Sequence, residues 1–565
     1  MAKDIYFIVV FLAVLALLAP PLGRYIAAVL AGRRNLLSWL VRPIEAAVYR
    51  VCGIDEGRET SWKEYSLAFL LFSGVSLVAL FLLQLLQGYL PLNPRRLAGV
   101  RWDTALSTAV SFMTNTNWQA YSGESTMSYL TQMLGLTVQN FVSAAAGLAV
   151  LLPLIRCFTS KLKDTVGNFW VDMTRSVLYI LIPLSIILSL ALVSQGAVQT
   201  LGDYVKAAPL EGGEQVIAVG PAASQVAIKQ LGSNGGGFFN ANSAHPFENP
   251  NDIANFLELL SILLIPAALP LAMGGMLGNR RQGWAIFAAM ALLFMIGLAI
   301  SFAAEWQTNP LLAKLGVAGN MEGKEVRFGI GRSVLWGQST TVTSNGSVNA
   351  MHDSMMPLTG LVYMFNMAIG EVIFGGVGVG LIGMIMYAIL ALFLAGLMVG
   401  RTPEFLGKKL ESREMIMAVV VVVAPAISSL IFAGIAVVIP AGLSSLNNAG
   451  PHGLSEILYC FFSSAGNNGS AFAGLNANTP FYNLTTAFCM LVGRFLTIIP
   501  ALAVAGSLAT KKTIPPSSAT FPTAGPLFVG MLAAVVAIVG ALTFFPALVL
   551  GPILDHLLLV SGRTF

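Results

Sequence analysis

Ten apolar runs reach the roughly 20 residues that a membrane-spanning helix needs. They cover residues 5–31, 65–90, 128–155, 173–198, 253–277, 284–304, 358–400, 415–440, 482–509 and 525–549. Four further apolar runs, at 105–113, 222–231, 333–342 and 455–464, are too short to cross. Each short run leads into a small polar phrase: Thr114-Asn115-Thr116-Asn117, Ser233-Asn234-Gly235-Gly236, Ser344-Asn345-Gly346-Ser347 and Asn467-Asn468-Gly469-Ser470. Asn115, Asn234, Asn345 and Asn468 are separated by 119, 111 and 123 residues, a spacing that fits a large internal repeat.

This order predicts an all-α polytopic membrane protein with ten transmembrane helices. Eight of them form four helix–pore loop–helix pseudo-repeats around a central cation filter. Residues 1–64 hold the first span and a cytoplasmic loop. The repeats occupy 65–155, 173–277, 284–400 (with a broken second helix) and 415–509, and residues 525–565 hold the last span and an external C-terminus. A half-crossing helix followed by extended backbone survives at membrane depth only when buried in protein or lining a watery cavity. Four such segments in corresponding places therefore imply one shared cavity.

Composition strengthens this reading. The 565-residue chain is 56% hydrophobic and 10% charged, where soluble domains carry about 25% charged residues. No segment between spans is long enough for a separate catalytic domain. Segments 32–64, 156–175, 278–283, 401–414 and 510–524 together hold 18 Lys and Arg; the longer opposite side holds 11. The positive-inside tendency makes the first set cytoplasmic and puts both termini and all four phrases outside. The net charge of +5 then reflects topology rather than nucleic-acid binding. Residues 5–31 are too long an apolar run for a signal peptide and are expected to remain as the first helix. Cys52, Cys157, Cys460 and Cys489 lack metal-site spacing, and no disulfide is expected.

The phrases carry the chemistry. A dehydrated monovalent cation needs several neutral oxygens at once, which converging backbone carbonyls supply. Gly235, Gly346 and Gly469 allow the left-handed dihedrals involved, and Thr116 is expected to take the glycine's place in the first repeat. Asn115, Asn234, Asn345 and Asn468 tolerate such dihedrals and can brace the loops. With Asn117, Ser233, Gly236, Ser344, Ser347 and Asn467 they make up the expected filter. These phrases contain no Asp, Glu or His, so potassium is favoured over a divalent ion, which prefers anionic oxygens.

Span seven is interrupted by Gly370-Glu371-Val372-Ile373-Phe374-Gly375-Gly376-Val377-Gly378-Val379-Gly380. Residues 378–383 match the spacing G-x-G-x-x-G, but no strand precedes them, which argues against a dinucleotide site. Glycine-mediated helix packing and a gate beneath the filter both remain open readings, with Gly375, Gly376, Gly378 and Gly380 as hinge positions. Glu371 and Arg494 are charges within apolar runs; they are expected on the ion path, either as attractor and barrier or as a pair. Gln119 is placed on the same path. His245, His352, His452 and His556 are expected in surface or loop-supporting roles rather than as metal ligands. The basic residues Arg401, Lys408 and Lys409 follow the broken span and suit a topology signal or a docking surface.

The stretches Thr114-Asn115-Thr116-Asn117-Trp118-Gln119, Gly232-Ser233-Asn234-Gly235-Gly236-Gly237-Phe238, Thr343-Ser344-Asn345-Gly346-Ser347 and Gly466-Asn467-Asn468-Gly469-Ser470 carry a specific resemblance. With Gly400-Arg401-Thr402-Pro403-Glu404 and the ten-span layout, the chain resembles the potassium-binding A subunits of Kdp potassium-transporting ATPases, in the Trk/Ktr/HKT superfamily. The resemblance implies potassium uptake across a bacterial plasma membrane, with a P-type ATPase B subunit, a C subunit and a small F subunit as partners. It also implies a gate at the interrupted helix and coupling to the ATPase near Arg401. The chain has no Asp-Lys-Thr-Gly phosphorylation motif and no nucleotide-binding Gly-x-x-x-x-Gly-Lys-[Ser/Thr] loop, so hydrolysis would belong to another chain. A stand-alone potassium channel or an ion-coupled symporter would use the same loops.

Overall fold

The four short runs fold as helices that stop abruptly: Trp102–Met113, Ala222–Leu231, Gly329–Val342 and Gly450–Ala465. A computed structural model describes residues 1–317, 319–398, 400, 403–515 and 520–563. Among them, ten helices are long and apolar enough to cross a membrane. They are Ala2–Leu30, Trp62–Tyr89, Thr131–Thr159, Phe169–Ser194, Asp252–Met276, Arg280–Lys314, Val379–Met398, Ser412–Ala436, Pro480–Ala509 and Pro526–Val560. The architecture is all-α; among the described residues, strands form three short two-stranded pairs.

Each half-helix lies in the chain between two of these spans, following the order long helix, half-helix, loop, long helix. Thr131–Thr159 and Asp252–Met276 are mostly buried, whereas Ala2–Leu30 and Pro526–Val560 expose most of their length. The second helices of the first two units are thus inside, and the two terminal helices are among those at the periphery. Small residues allow close approach: a methyl group at Gly23 would press on the Ala268 carbonyl, where the first helix lies along Asp252–Met276.

Two local features differ from the sequence expectation. The segment 32–64, expected as a loop, contains a helix, Ser38–Cys52, with Leu40, Ile44 and Val51 exposed and Glu45 and Tyr49 turned inward. Arg280 and Arg281 form the first turn of a helix capped by Asn279, so the loop there is shorter than 278–283. Span seven is two helices, Pro357–Ala368 and Val379–Met398, joined by ten non-helical residues, 369–378.

A ring of four loops

Two residues beyond the end of each half-helix stands a residue with positive φ: Asn115 (+68°), Ser233 (+47°), Ser344 (+59°) and Asn467 (+58°). At the next position, the amides of Thr116, Asn234, Asn345 and Asn468 donate back to the carbonyl five residues earlier: Ser111, Lys229, Thr340 and Ser463. The third position is left-handed again in Asn117 (+55°), Gly235 (+68°), Gly346 (+75°) and Gly469 (+98°). This pattern corrects the register of the first repeat. Asn117, not Thr116, stands where the other repeats have glycine, and Thr116 matches Asn234, Asn345 and Asn468. Asparagine is among the few residues besides glycine that visit this conformation at low cost, which is how repeat one manages without glycine.

The loops touch in cyclic order. A methyl at Gly235 would overlap the Asn345 carbonyl, one at Gly346 the Asn468 carbonyl, and one at Gly469 the Thr116 carbonyl. The amide of Asn117 closes the circle by donating to the Gly235 carbonyl at 3.0 Å. Side chains reinforce every joint. Asn115 Nδ2 donates to Ser233 O (3.0 Å), Asn345 Nδ2 to Lys229 O (3.0 Å), Asn468 Nδ2 to Thr340 O (2.8 Å) and Asn467 Nδ2 to Thr116 Oγ1 (3.0 Å). Ser344 Oγ donates to Asn467 O at 2.9 Å, while Ser347 Oγ donates to Gln230 Oε1 at 2.9 Å. Glycine is thus required by space as well as by φ at Gly235, Gly346 and Gly469. All four helix C-termini, with their partial negative charge, lead directly into this ring.

Gln119 belongs to the ring's exit rather than to the broken helix: its amide accepts from Gly237 N (2.7 Å) and donates to Gly237 O (3.1 Å). Sequence reading overlooked Lys229. Its buried ammonium donates to the Gly236 carbonyl (2.9 Å) and to Asn242 Oδ1 (3.1 Å), and it ion-pairs with buried Glu248. A lysine inside the otherwise apolar or neutral half-helix Ala222–Leu231 was the available signal.

Residues 369–378 run beneath the ring. Val377 N donates to Ser233 Oγ at 2.7 Å, and a methyl at Gly376 would press on the Ser344 side chain. Gly378 packs so tightly on the Gly147 carbonyl that a methyl would overlap it; Gly375 and Gly380 pack on each other. A cavity of about 40 Å³ lies here, lined by Asn115, Ser344, Asn467, Glu371, Gly376, Gly380 and Arg494 among others. That is room for a few waters, since one needs about 10–15 Å³ on the same measure.

Glu371 is buried and neither of its oxygens has a hydrogen-bond partner among the described residues. Arg494 does not pair with it: Arg494 Nη2 donates to the Ser143 carbonyl at 2.8 Å, and its Nε is unpartnered there. The two charges face one polar cavity separately.

Of the three basic residues expected to dock a partner, Arg401 lies outside the described residues. Lys408 is a correction: it is buried and donates to the carbonyls of Ser160 (2.6 Å) and Lys511 (2.7 Å), tying three inter-span segments together. Lys409 is exposed and pairs with Glu411 at 3.3 Å.

Ten apolar helices and four half-helices whose loops close into a ring define a polytopic membrane protein of the pore-loop class. The family model for the potassium-transporting ATPase A subunit (KdpA) matches residues 9–557. The chain belongs to that family. It is 56% identical over 559 residues to a potassium-transporting ATPase potassium-binding subunit from Brucella anthropi, covering 99% of each chain. The like-named proteins of Methylorubrum extorquens and Sorangium cellulosum are each 57% identical, with 98% and 97% of this chain covered and 97% of each relative. The potassium transporter TrkH from Vibrio parahaemolyticus has a similar fold (TM-score 0.53, 15% identity), covering 86% of this chain and 97% of that one.

Proposed function

We propose that this chain is the potassium-selecting and translocating subunit of an ATP-driven uptake complex. Potassium is stripped of water in the ring of four loops on the external side and enters the cavity beneath. The segment 369–378 then gates its passage toward a separate P-type ATPase subunit, which hydrolyses ATP. The observation that carries this reading is the closed cycle of contacts from Gly235 to Asn345, Gly346 to Asn468, Gly469 to Thr116 and Asn117 to Gly235. A rigid ring of neutral oxygens suits a weakly hydrated monovalent cation, which must also be able to leave. Glu371, facing the cavity with both oxygens free, would attract the cation below the ring; Arg494 would oppose uncontrolled flow.

The relatives' names support potassium as the ion and an ATPase as the partner. In this reading the assembly comprises an ATPase B subunit, a C subunit and a small F subunit in a bacterial inner membrane, with both termini of this chain external. The chain itself is non-catalytic and binds no nucleotide. Exposed Lys409 is the docking contact for the ATPase subunit, together with Arg401 by its place in the sequence.

Co-purification tests the reading. Material captured by a tag on this chain hydrolyses ATP, and potassium stimulates it. Rapid potassium flux through the chain alone in liposomes, without ATP, would instead identify a free-standing channel.

A further inference from the structure

Outside the ring, four acid or imidazole groups from three distant segments converge. Asp353 lies just beyond the third loop, in the turn His352–Ser354; His452 and Glu456 stand one turn apart on half-helix Gly450–Ala465; Asp555 comes from helix Leu554–Val560. One ligand atom each of Asp353, His452 and Glu456 lie within 4.8 Å of one another. Glu456 is fully buried; Asn448 donates to its Oε1 at 2.6 Å, and its Oε2 has no hydrogen-bond partner among the described residues. A methyl at Gly474 would overlap both Glu456 Oε1 and Asp353 Oδ2, so the two carboxylates face one point that only a glycine leaves free. Two carboxylates held this close, one of them fully buried with an oxygen left unpartnered, are costly unless a cation sits between them.

The imidazole is held as metal-ligating histidines usually are. Its Nδ1 is 2.9 Å from Asp555 Oδ2 and its Nε2 is 3.2 Å from Asp353 Oδ1; an Nδ1 proton donated to Asp555 would leave the Nε2 lone pair for a metal. Stacking on Phe472, at 6.0 Å and 14°, fixes the ring plane. One nitrogen and two carboxylate oxygens, with a third carboxylate behind the imidazole, form a donor set for a borderline divalent metal such as zinc or manganese rather than for potassium. We infer that Asp353, His452 and Glu456 bind a divalent transition-metal ion at the loop-side end of the third and fourth repeats, with Asp555 orienting His452. This reverses the loop-supporting role that the sequence pattern suggested for His452.

The site is wired to the ring. His352, adjacent to Asp353, has its Nδ1 2.8 Å from Tyr459 OH, which is 2.8 Å from Ser470 Oγ. Ser470 N in turn donates to Asn468 Oδ1 at 2.9 Å. A metal that fixes Asp353 to half-helix four therefore stiffens the exits of loops three and four. The inference does not depend on potassium being the ion selected in the ring.

The test is calorimetric titration of Zn²⁺ into the full-length chain, purified without nucleotide in lipid nanodiscs and freed of metal by chelation, with excess Mg²⁺ and K⁺ present. One saturable Zn²⁺ per chain is expected. Asp555→Asn should weaken it by about 10–100-fold, and His452→Ala or Glu456→Gln by more. X-ray absorption on the Zn²⁺-loaded wild-type chain, which needs no variant to fold, should give one imidazole and carboxylate oxygens around zinc. Absence of saturable binding, unchanged affinity in folded variants, or a first shell containing sulfur or lacking imidazole would each overturn the inference.

Discussion

Lys229 donates its ammonium proton to the backbone carbonyl of Gly236, 2.9 Å away and seven residues on, inside the second loop of the ring. The same ammonium ion-pairs with Glu248, whose Oε1 accepts from Phe239 N at 2.9 Å. One buried charge pair thus sets the direction of the Gly236 peptide and anchors the chain leaving the second loop.

Replacing one partner strands the other. Lys229→Met should destabilise the protein by about 3–5 kcal/mol, because Glu248 is left buried and unpaired. The double variant Lys229→Met/Glu248→Gln should recover most of that stability. It should still lose roughly tenfold in apparent potassium affinity, about 1.4 kcal/mol, because the Gly236 peptide is no longer held. Thermal unfolding and potassium-dependent ATPase activity of the complex read the two effects separately.

The corrected register of the first repeat predicts opposite outcomes at one position. Asn117→Gly keeps the left-handed backbone and loses the bond to Gly235, so it should cost about 0.5–1.5 kcal/mol. Asn117→Val adds a left-handed penalty of about 1–2 kcal/mol on top, and Thr116→Gly should not mimic either. Stability and potassium affinity of the three variants, measured side by side, check the ordering.

Gly235→Asp and Gly346→Ser each insert atoms where a neighbouring loop's carbonyl lies. Both should weaken potassium affinity or selectivity while the complex still assembles. Competition by Rb⁺ and Na⁺ against potassium-stimulated hydrolysis, together with co-purification of the partner subunits, measures both halves of the statement.

Below the ring, Glu371→Gln should leave equilibrium potassium binding at the external site within about twofold, under 0.5 kcal/mol. Turnover should fall by about tenfold, since the cavity loses its one carboxylate. Equal losses in binding and turnover would move Glu371 into the filter itself.

Lys408→Ala should cost about 1–3 kcal/mol of stability, because two carbonyls lose their charged donor. Lys409→Ala should change stability by less than about 0.5 kcal/mol and act, if at all, on ATPase docking. Unfolding of the isolated chain and binding of the ATPase subunit distinguish them.

The ten spans and the four half-helices were legible because apolar run length is a local property: runs at 222–231 and 455–464 fall inside the observed Ala222–Leu231 and Gly450–Ala465. The interruption of span seven was equally local, written in its glycines. What escaped depended on three-dimensional neighbours. Counting from Asn115 aligned Thr116 with the glycines, since nothing in the letters reveals that Asn117 adopts φ of +55°. Lys408 reads as a surface cation until the carbonyls of Ser160 and Lys511, 248 and 103 residues away, are seen around it. Arg494 and Glu371 suggest a pair by charge alone, yet the Ser143 carbonyl holds the arginine. The helix Ser38–Cys52 was missed because polar and charged residues on one face break its apolar run.

Anomalous diffraction from the complex soaked in Rb⁺ or Tl⁺ tests the central claim most directly. The account predicts a peak enclosed by residues 115–117, 233–236, 344–347 and 467–469, lost on competition with excess K⁺. A complex that transports Rb⁺ or Tl⁺ yet shows no peak among those four loops would contradict it.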